Sequence, residues 1–275
     1  MSDSVLQILW LCLLGVLGLV FGSFANVVIW RFPRGESLSS PPSHCPRCGH
    51  PIRWRDNIPV LSWVLLRGAC RDCGQPISGR YPLVEIASGG LWVLAGVLYG
   101  FSPRAGVAAV LFYLLLILSM IDLDTMRLPN PLVALAAAIG AAALLVSQFT
   151  MLDAAPLTPT SWTPVVAGIV GVVLGGGLSL AIASAYRAVR KATGFGMGDV
   201  KLLGALGLYF GGYVLMVLFF GSLIGAIVGL ALATSSRESL RTKRIPFGPM
   251  LAIGAIVTAA VGPALWAWYL GLTGL

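Results

Sequence analysis

Apolar positions in this chain come in long, nearly unbroken runs, without the two-residue alternation of half-buried strands. The runs are Val5–Val28, Leu83–Tyr99, Ala105–Ile121, Leu132–Phe149, Val165–Tyr186, Val200–Phe210, Tyr213–Thr234 and Pro246–Leu270. At 1.5 Å per residue, about 20 residues of helix cross a hydrocarbon layer about 30 Å thick. The pattern therefore predicts an all-α polytopic membrane protein with about eight transmembrane helices. The sixth run is short, and Gly211-Gly212 separates it from the seventh. Merged, the two would make a single helix too long for one tilted span, so a tight Gly-Gly turn is expected there. The leading Met-Ser-Asp-Ser carries an acid and no base, and the first run outlasts a typical signal-peptide core. It is read as a spanning helix whose N-terminus lies outside.

Composition agrees with lipid as the main solvent: 57% of residues are hydrophobic and 10% charged, with a mean hydropathy of +0.90. The net charge of +8 would suggest nucleic acid in a soluble chain, but here it tracks the connections between runs. Eight spans beginning outside place residues 31–80, 122–130, 187–201 and 234–244 in the cytoplasm. Those segments hold 17 of the 18 Lys and Arg residues, leaving Arg104 outside. Such an asymmetry orients the whole chain at once and excludes nucleic acid as the expected partner. The outer connection 150–164 is rich in Pro, Thr and Ser, lacks Lys and Arg, and reads as a passive linker. The expected organisation is a first transmembrane helix over 1–30, a cytoplasmic module over 31–80 and a transmembrane domain over 81–275.

Within the module, Cys45-Pro-Arg-Cys48-Gly-His-Pro-Ile and Cys70-Arg-Asp-Cys73-Gly-Gln-Pro-Ile are near copies. Each Cys-x-x-Cys-Gly forms a knuckle whose two thiolates converge on one metal, and two knuckles supply the tetrahedral sulfur set that zinc prefers. The alternative, a pair of disulfides, conflicts with a reducing cytoplasmic side. A zinc-ribbon-like site on Cys45, Cys48, Cys70 and Cys73 is expected, with His44 and His50 as surface neighbours. Four sulfurs close the coordination sphere, so the metal is structural.

Ten acidic residues are present, and Asp122, Asp124 and Asp199 stand where an apolar run meets the cytoplasmic face. Ionisable groups at that depth are functional hypotheses by default. Asp199 follows Gly196-Met197-Gly198 at the start of the sixth run, where glycines permit unusual dihedrals and close backbone approach. Its ordinary alternative role is a helix N-cap; for Asp122 and Asp124 it is solvation at a helix end. Two carboxylates brought together can hold one proton between them, the ionised one activating water and the protonated one polarising a carbonyl. That is the chemistry of an aspartyl peptidase. Lys201, two residues after Asp199, points to a different helix face and is assigned to anionic lipid or substrate. A proton-coupled transporter would also place acids in the membrane, but no paired repeat of broken helices occurs outside the two knuckles. A purely structural scaffold would tolerate neutral replacement of both acids.

The segments Phe21-Gly-Ser-Phe-Ala-Asn26, Asp56-Asn57-Ile-Pro59 and Ile77-Ser78-Gly-Arg80-Tyr81-Pro82-Leu-Val-Glu85, together with the first knuckle, resemble the N-terminal half of bacterial prepilin peptidases, also called type IV leader peptidases. Ile121-Asp122 to Pro129-Asn130, Gly196-Met197-Gly198-Asp199 with Val-Lys-Leu-Leu, and Ile245-Pro-Phe-Gly-Pro249 resemble their C-terminal half. The resemblance implies a GxGD-type intramembrane aspartyl endopeptidase of the bacterial inner membrane, its site facing the cytoplasm. Such an enzyme removes the basic leader of type IV prepilins or type II secretion pseudopilins after Gly. The new N-terminus is then methylated using S-adenosylmethionine. The family's catalytic pair falls on Asp122 and Asp199, with Gly196, Gly198 and Lys201 in support, and Asp124 becomes an accessory acid. Asn130 stands where many members carry a third acid. No glycine-rich nucleotide fingerprint is present, so the residues that bind the methyl donor are unknown and methyl transfer rests on the resemblance. The pattern does not specify an oligomeric state.

Overall fold

A computed structural model of the chain describes residues 3–150, 152–190, 196–235 and 245–273, and among these every regular element is helical. Among the described residues, seven helical stretches are long and apolar enough to cross a membrane. The protein is a multi-pass membrane protein. The sixth stretch, Met197–Thr234, is 38 residues, far longer than one crossing requires. It breaks where the sequence predicts, at Gly211, whose φ of +53° favours glycine. The break leaves a helix of 14 residues before a short turn over Gly211–Tyr213. At about 21 Å that helix is too short to cross alone, which is why eight expected runs appear as seven qualifying stretches. The expected cytoplasmic connections over 187–201 and 234–244 lie partly outside the described residues.

One compact unit covers Met1–Phe101. It contains α1 (Asp3–Arg31), the short helix α2 (Leu61–Leu65) and α3 (Arg80–Tyr99). Helices in lipid gain little from the hydrophobic effect and associate by close van der Waals packing, which small residues permit. A Cβ added at Gly18 would lie 2.8 Å from the Gly89 Cα, and one at Gly22 would lie 2.7 Å from the Glu85 Cα. Those two glycines set the spacing of α1 and α3. Phe21 stacks on Trp92 at 5.0 Å.

The second unit covers Ser102–Leu275. It holds α4 (Pro103–Thr125), α5 (Asn130–Phe149), α6 (Pro164–Val172), α7 (Leu178–Arg190), α8 (Met197–Phe210), α9 (Val214–Ser235) and α10 (Gly248–Thr273). A π-helical turn over Val173–Gly177 joins α6 to α7. The core runs along α4 and α8, where Phe112, Leu115, Leu118, Leu203, Leu206 and Phe210 are buried. Glycines let α8 approach its neighbours: a Cβ at Gly171 would fall on the Gly207 carbonyl, and one at Gly175 on that of Leu203. Gly171→Leu is therefore expected to force α6 off α8 at a cost of about 1–3 kcal/mol or more. Thermal unfolding in detergent checks this, with Gly106→Ala as the neutral control, since a Cβ there meets open space.

The connection over 150–164, expected to be a passive linker, is packed into the fold. Ala154, Ala155, Leu157 and Thr158 are buried, and the Ala154 and Ala155 N–H groups both donate to Ser147 Oγ at 2.9 Å. Leu157 N–H donates to the Tyr209 carbonyl at 2.7 Å, and Thr158 Oγ1 donates to that of Phe210 at 2.9 Å. Helix ends leave carbonyls without internal partners, and in lipid no water replaces them. The connection thus satisfies the last carbonyls of α8.

Candidate active site and metal centre

Asp122 lies in the last turn of α4, where Asp122, Leu123 and Asp124 point in different directions around the helix. Asp122 is 5% exposed, whereas Asp124 lies on the exposed side. The helix stops at Met126, which adopts a left-handed φ of +54° and donates its N–H to the Asp122 carbonyl at 2.8 Å. Asp122 Oδ2 accepts the Gly248 N–H at 3.0 Å. Gly248 is the first residue of α10, so the buried carboxylate is held at the positive end of a helix. The site admits no side chain there, because a Cβ on Gly248 would lie 2.8 Å from that same oxygen.

Asp199 stands in the first turn of α8. Its N–H donates to the Gly196 carbonyl at 3.1 Å, and a Cβ on Gly196 would lie 2.8 Å from Asp199 Oδ2. Leu128 packs beside both arms. It would lie 3.0 Å from a Cβ on Gly248 beside Asp122, and 3.1 Å from one on Gly198 beside Asp199. The carboxylates lie within electrostatic range of one another. Three separate sequence segments thus converge: the end of α4, the Gly-Met-Gly-Asp start of α8 and the Phe-Gly-Pro start of α10. Gly248 and Leu128 were not identified as site residues from sequence; a Gly-Pro pair opening an apolar run was the available signal.

Lys201, assigned from sequence to lipid or substrate, is exposed and also has a partner within the protein. Its Nζ donates to Asn130 Oδ1 at 2.9 Å, tying α8 to the first residue of α5. The physical reason is that Pro129 ends the loop after α4 and brings Asn130 beside the first turn of α8, within reach of a long cationic side chain.

In the first unit, Cys45, Cys48, Cys70 and Cys73 are free, and their sulfurs all lie within 4.8 Å of one another. The two knuckles make the same backbone hydrogen bonds. Cys45 N–H donates to the His50 carbonyl at 3.0 Å and Cys70 N–H to that of Gln75 at 2.8 Å. Gly49 and Gly74 turn with φ of +74° and +68°. Cys45 Sγ and Cys73 Sγ are 3.9 Å apart, close to the roughly 3.8 Å edge of a sulfur tetrahedron with metal–sulfur bonds of about 2.3 Å. The Cys48 and Arg47 N–H groups favour the Cys45 thiolate and hold it down at about 6. This four-cysteine cluster can hold a metal ion. Beside it, the Arg71 guanidinium grips Asp56 at 2.7 Å and holds that carboxyl below its usual range.

Fold and sites together define a polytopic membrane protein with a buried and a half-buried carboxylate, Asp122 and Asp199, in one unit and a four-cysteine cluster able to hold a metal ion in the other. The chain belongs to the type IV leader peptidase family. It matches the bacterial peptidase A24 N-terminal domain over residues 16–99 and the type IV leader peptidase family over residues 109–230. It is 37% identical to a prepilin leader peptidase/N-methyltransferase of Stutzerimonas stutzeri, over 94% of this chain and 93% of that protein. A protein of the same name from Aeromonas hydrophila is 35% identical, over 95% and 94%. One from Klebsiella pneumoniae is 41% identical, over 74% and 86%. No solved structure matches the chain.

Proposed function

We propose that this chain is an intramembrane aspartyl endopeptidase that removes the basic leader of type IV prepilins or type II secretion pseudopilins after Gly, with Asp122 and Asp199 as its catalytic pair. The observation that carries the reading is that Gly248, bonded to Asp122, and Gly198, next to Asp199, both pack on Leu128 although they come from helices far apart in sequence, with Asp124 exposed. One carboxylate, ionised, takes a proton from water as it attacks the scissile carbonyl; the other, protonated, donates to the carbonyl oxygen. The Gly248 N–H holds one Asp122 oxygen, which leaves its other oxygen for the shared proton or the water. Gly196 and Gly198 keep the approach to Asp199 open, and the Lys201–Asn130 bond fixes the first turn of α8 against α5. Because the surrounding loops are basic, a basic leader is not held by charge here. The apolar stem of the substrate in the bilayer positions the cleavage point instead.

The four cysteines would hold one structural zinc ion, with no open position for catalysis. The charge distribution supports placement in the bacterial inner membrane with the site and residues 31–80 facing the cytoplasm. Methylation of the new N-terminus by S-adenosylmethionine is supported by the names of the relatives. Among the described residues no glycine-rich strand-to-helix turn of the nucleotide-binding kind occurs, and no catalytic step is derived through the methyl donor. Incubating the purified protein with a prepilin peptide is expected to yield leader loss and, with the methyl donor present, a methyl adduct on the new N-terminus. Mass measurement checks both. An intact peptide in the presence of folded, zinc-loaded protein would refute the peptidase reading.

A further inference from the structure

Glu85, in the second turn of α3, is a carboxylate that leader cleavage does not use. It is 8% exposed, accepts the Val60 N–H at 2.7 Å and packs its backbone on Gly22 of α1, where an added Cβ would lie 2.7 Å from the Glu85 Cα. Gly22 stands nine residues before Arg31, the last residue of α1, which places it about 13 Å inward along that helix. The carboxylate therefore lies below the cytoplasmic ends of both membrane helices, and it pins Val60, the residue that opens α2, at that depth. Val60 has φ +61° and ψ −50°, a conformation a β-branched residue adopts only where its surroundings impose it.

One side of α2 is committed to the protein. Ser62 is buried; its Oγ accepts the Ile58 N–H and donates to the Arg55 carbonyl, each at 3.0 Å. Trp63 donates to the Ile77 carbonyl at 3.1 Å. The other side, Leu61, Val64 and Leu65 at helical spacing, is 50%, 57% and 71% exposed. Trp54, just before it, is 83% exposed. Residues 31–80 carry eight arginines against three acids, a net charge of +5, and two of those acids, Asp56 and Asp72, are already paired with Arg71 and Arg53.

We propose that α2 is an interfacial membrane anchor: Leu61, Val64 and Leu65 dip into the acyl boundary of the cytoplasmic leaflet, while Trp54, Arg55 and Arg67 sit among acidic lipid headgroups. The Glu85–Val60 bond sets the depth, the apolar face matches the boundary layer, and tryptophan and arginine are the residues suited to the headgroup level. The zinc-binding module is then held against the bilayer at a point between its two knuckles, as well as at its two ends. This goes beyond peptidase activity and does not depend on it.

The test uses the full-length protein in nanodiscs of equal parts phosphatidylglycerol and phosphatidylcholine, with a benzophenone amino acid at Leu65. Leu83, an exposed residue of α3, serves as the lipid-facing reference, and Gln75, exposed on the second knuckle, as the polar reference. Illumination and mass spectrometry are expected to find lipid adducts at Leu65 approaching the yield at Leu83, and few at Gln75. The Leu65 adducts should favour phosphatidylglycerol by about fivefold. Lipid adducts at Leu83 without any at Leu65 would overturn the anchor, and equal labelling of the two lipids would overturn its charge selectivity. Replacement of the lipid adduct by one to added prepilin would assign the surface to substrate instead.

Discussion

Asp122→Asn or Asp199→Asn is expected to abolish leader removal, lowering its rate by about 10²–10⁴-fold or more, while the protein remains inserted, folded and zinc-loaded. Asparagine keeps the size of the side chain and can still accept the Gly248 N–H, but it cannot share a proton. Asp124→Asn is expected to leave cleavage close to that of the parent, since Asp124 lies on the exposed side of α4. Mass analysis of a prepilin peptide after timed incubation distinguishes the three variants. The pair works with a single proton, so the rate should also trace a bell against pH. It falls on the alkaline side, where neither carboxyl can donate, and on the acidic side, where neither can accept. If Asp124→Asn were inactive and Asp122→Asn active, the assignment between the neighbouring acids would be wrong. If both Asp122→Asn and Asp199→Asn still cleaved, the aspartyl mechanism itself would fail.

Replacing Cys45 and Cys48 together by Ser should reduce the metal content from one zinc per chain to none and open residues 31–80 to proteolysis. A module of about 50 residues has little core of its own, and a four-thiolate zinc site contributes on the order of 10 kcal/mol of linked folding free energy. Among the described residues of this segment the regular structure amounts to single turns and the five-residue α2, so the knuckles have few other supports. Elemental analysis and limited proteolysis of the full-length variant check the two effects separately. Loss of zinc with an unchanged proteolytic pattern would show that the metal does not hold the module.

Much of this architecture was legible in the chain because lipid imposes simple rules. A spanning segment must be long and apolar, and basic residues mark the side that stays inside. The eight runs and the turn at Gly211-Gly212 followed from those rules, and the two knuckles from thiolate spacing. The connection over 150–164 was misread for a physical reason. Its Pro, Thr and Ser residues resemble a linker, and nothing local reveals that the carbonyls of Tyr209 and Phe210 at the end of α8 accept from Leu157 N–H and Thr158 Oγ1. The Lys201 bond to Asn130 was equally illegible, because its partner lies 71 residues away in sequence.

By itself, the sequence determined the class of protein, the positions of its membrane runs, the four sulfur ligands and the short list of acids stationed at helix ends. These depend on hydrophobic length, on charge and on ligand spacing, all of which are local properties. Only the tertiary structure decided that Asp122 is turned inward and Asp124 outward, and that Gly248 opens α10 against Asp122. It alone placed Leu128 beside the two carboxylate arms and Glu85 beneath a strained Val60. Such choices depend on which helix faces meet, and in lipid those meetings are set by glycines that bring backbones into contact, as at Gly171 and Gly207, a property no single segment carries.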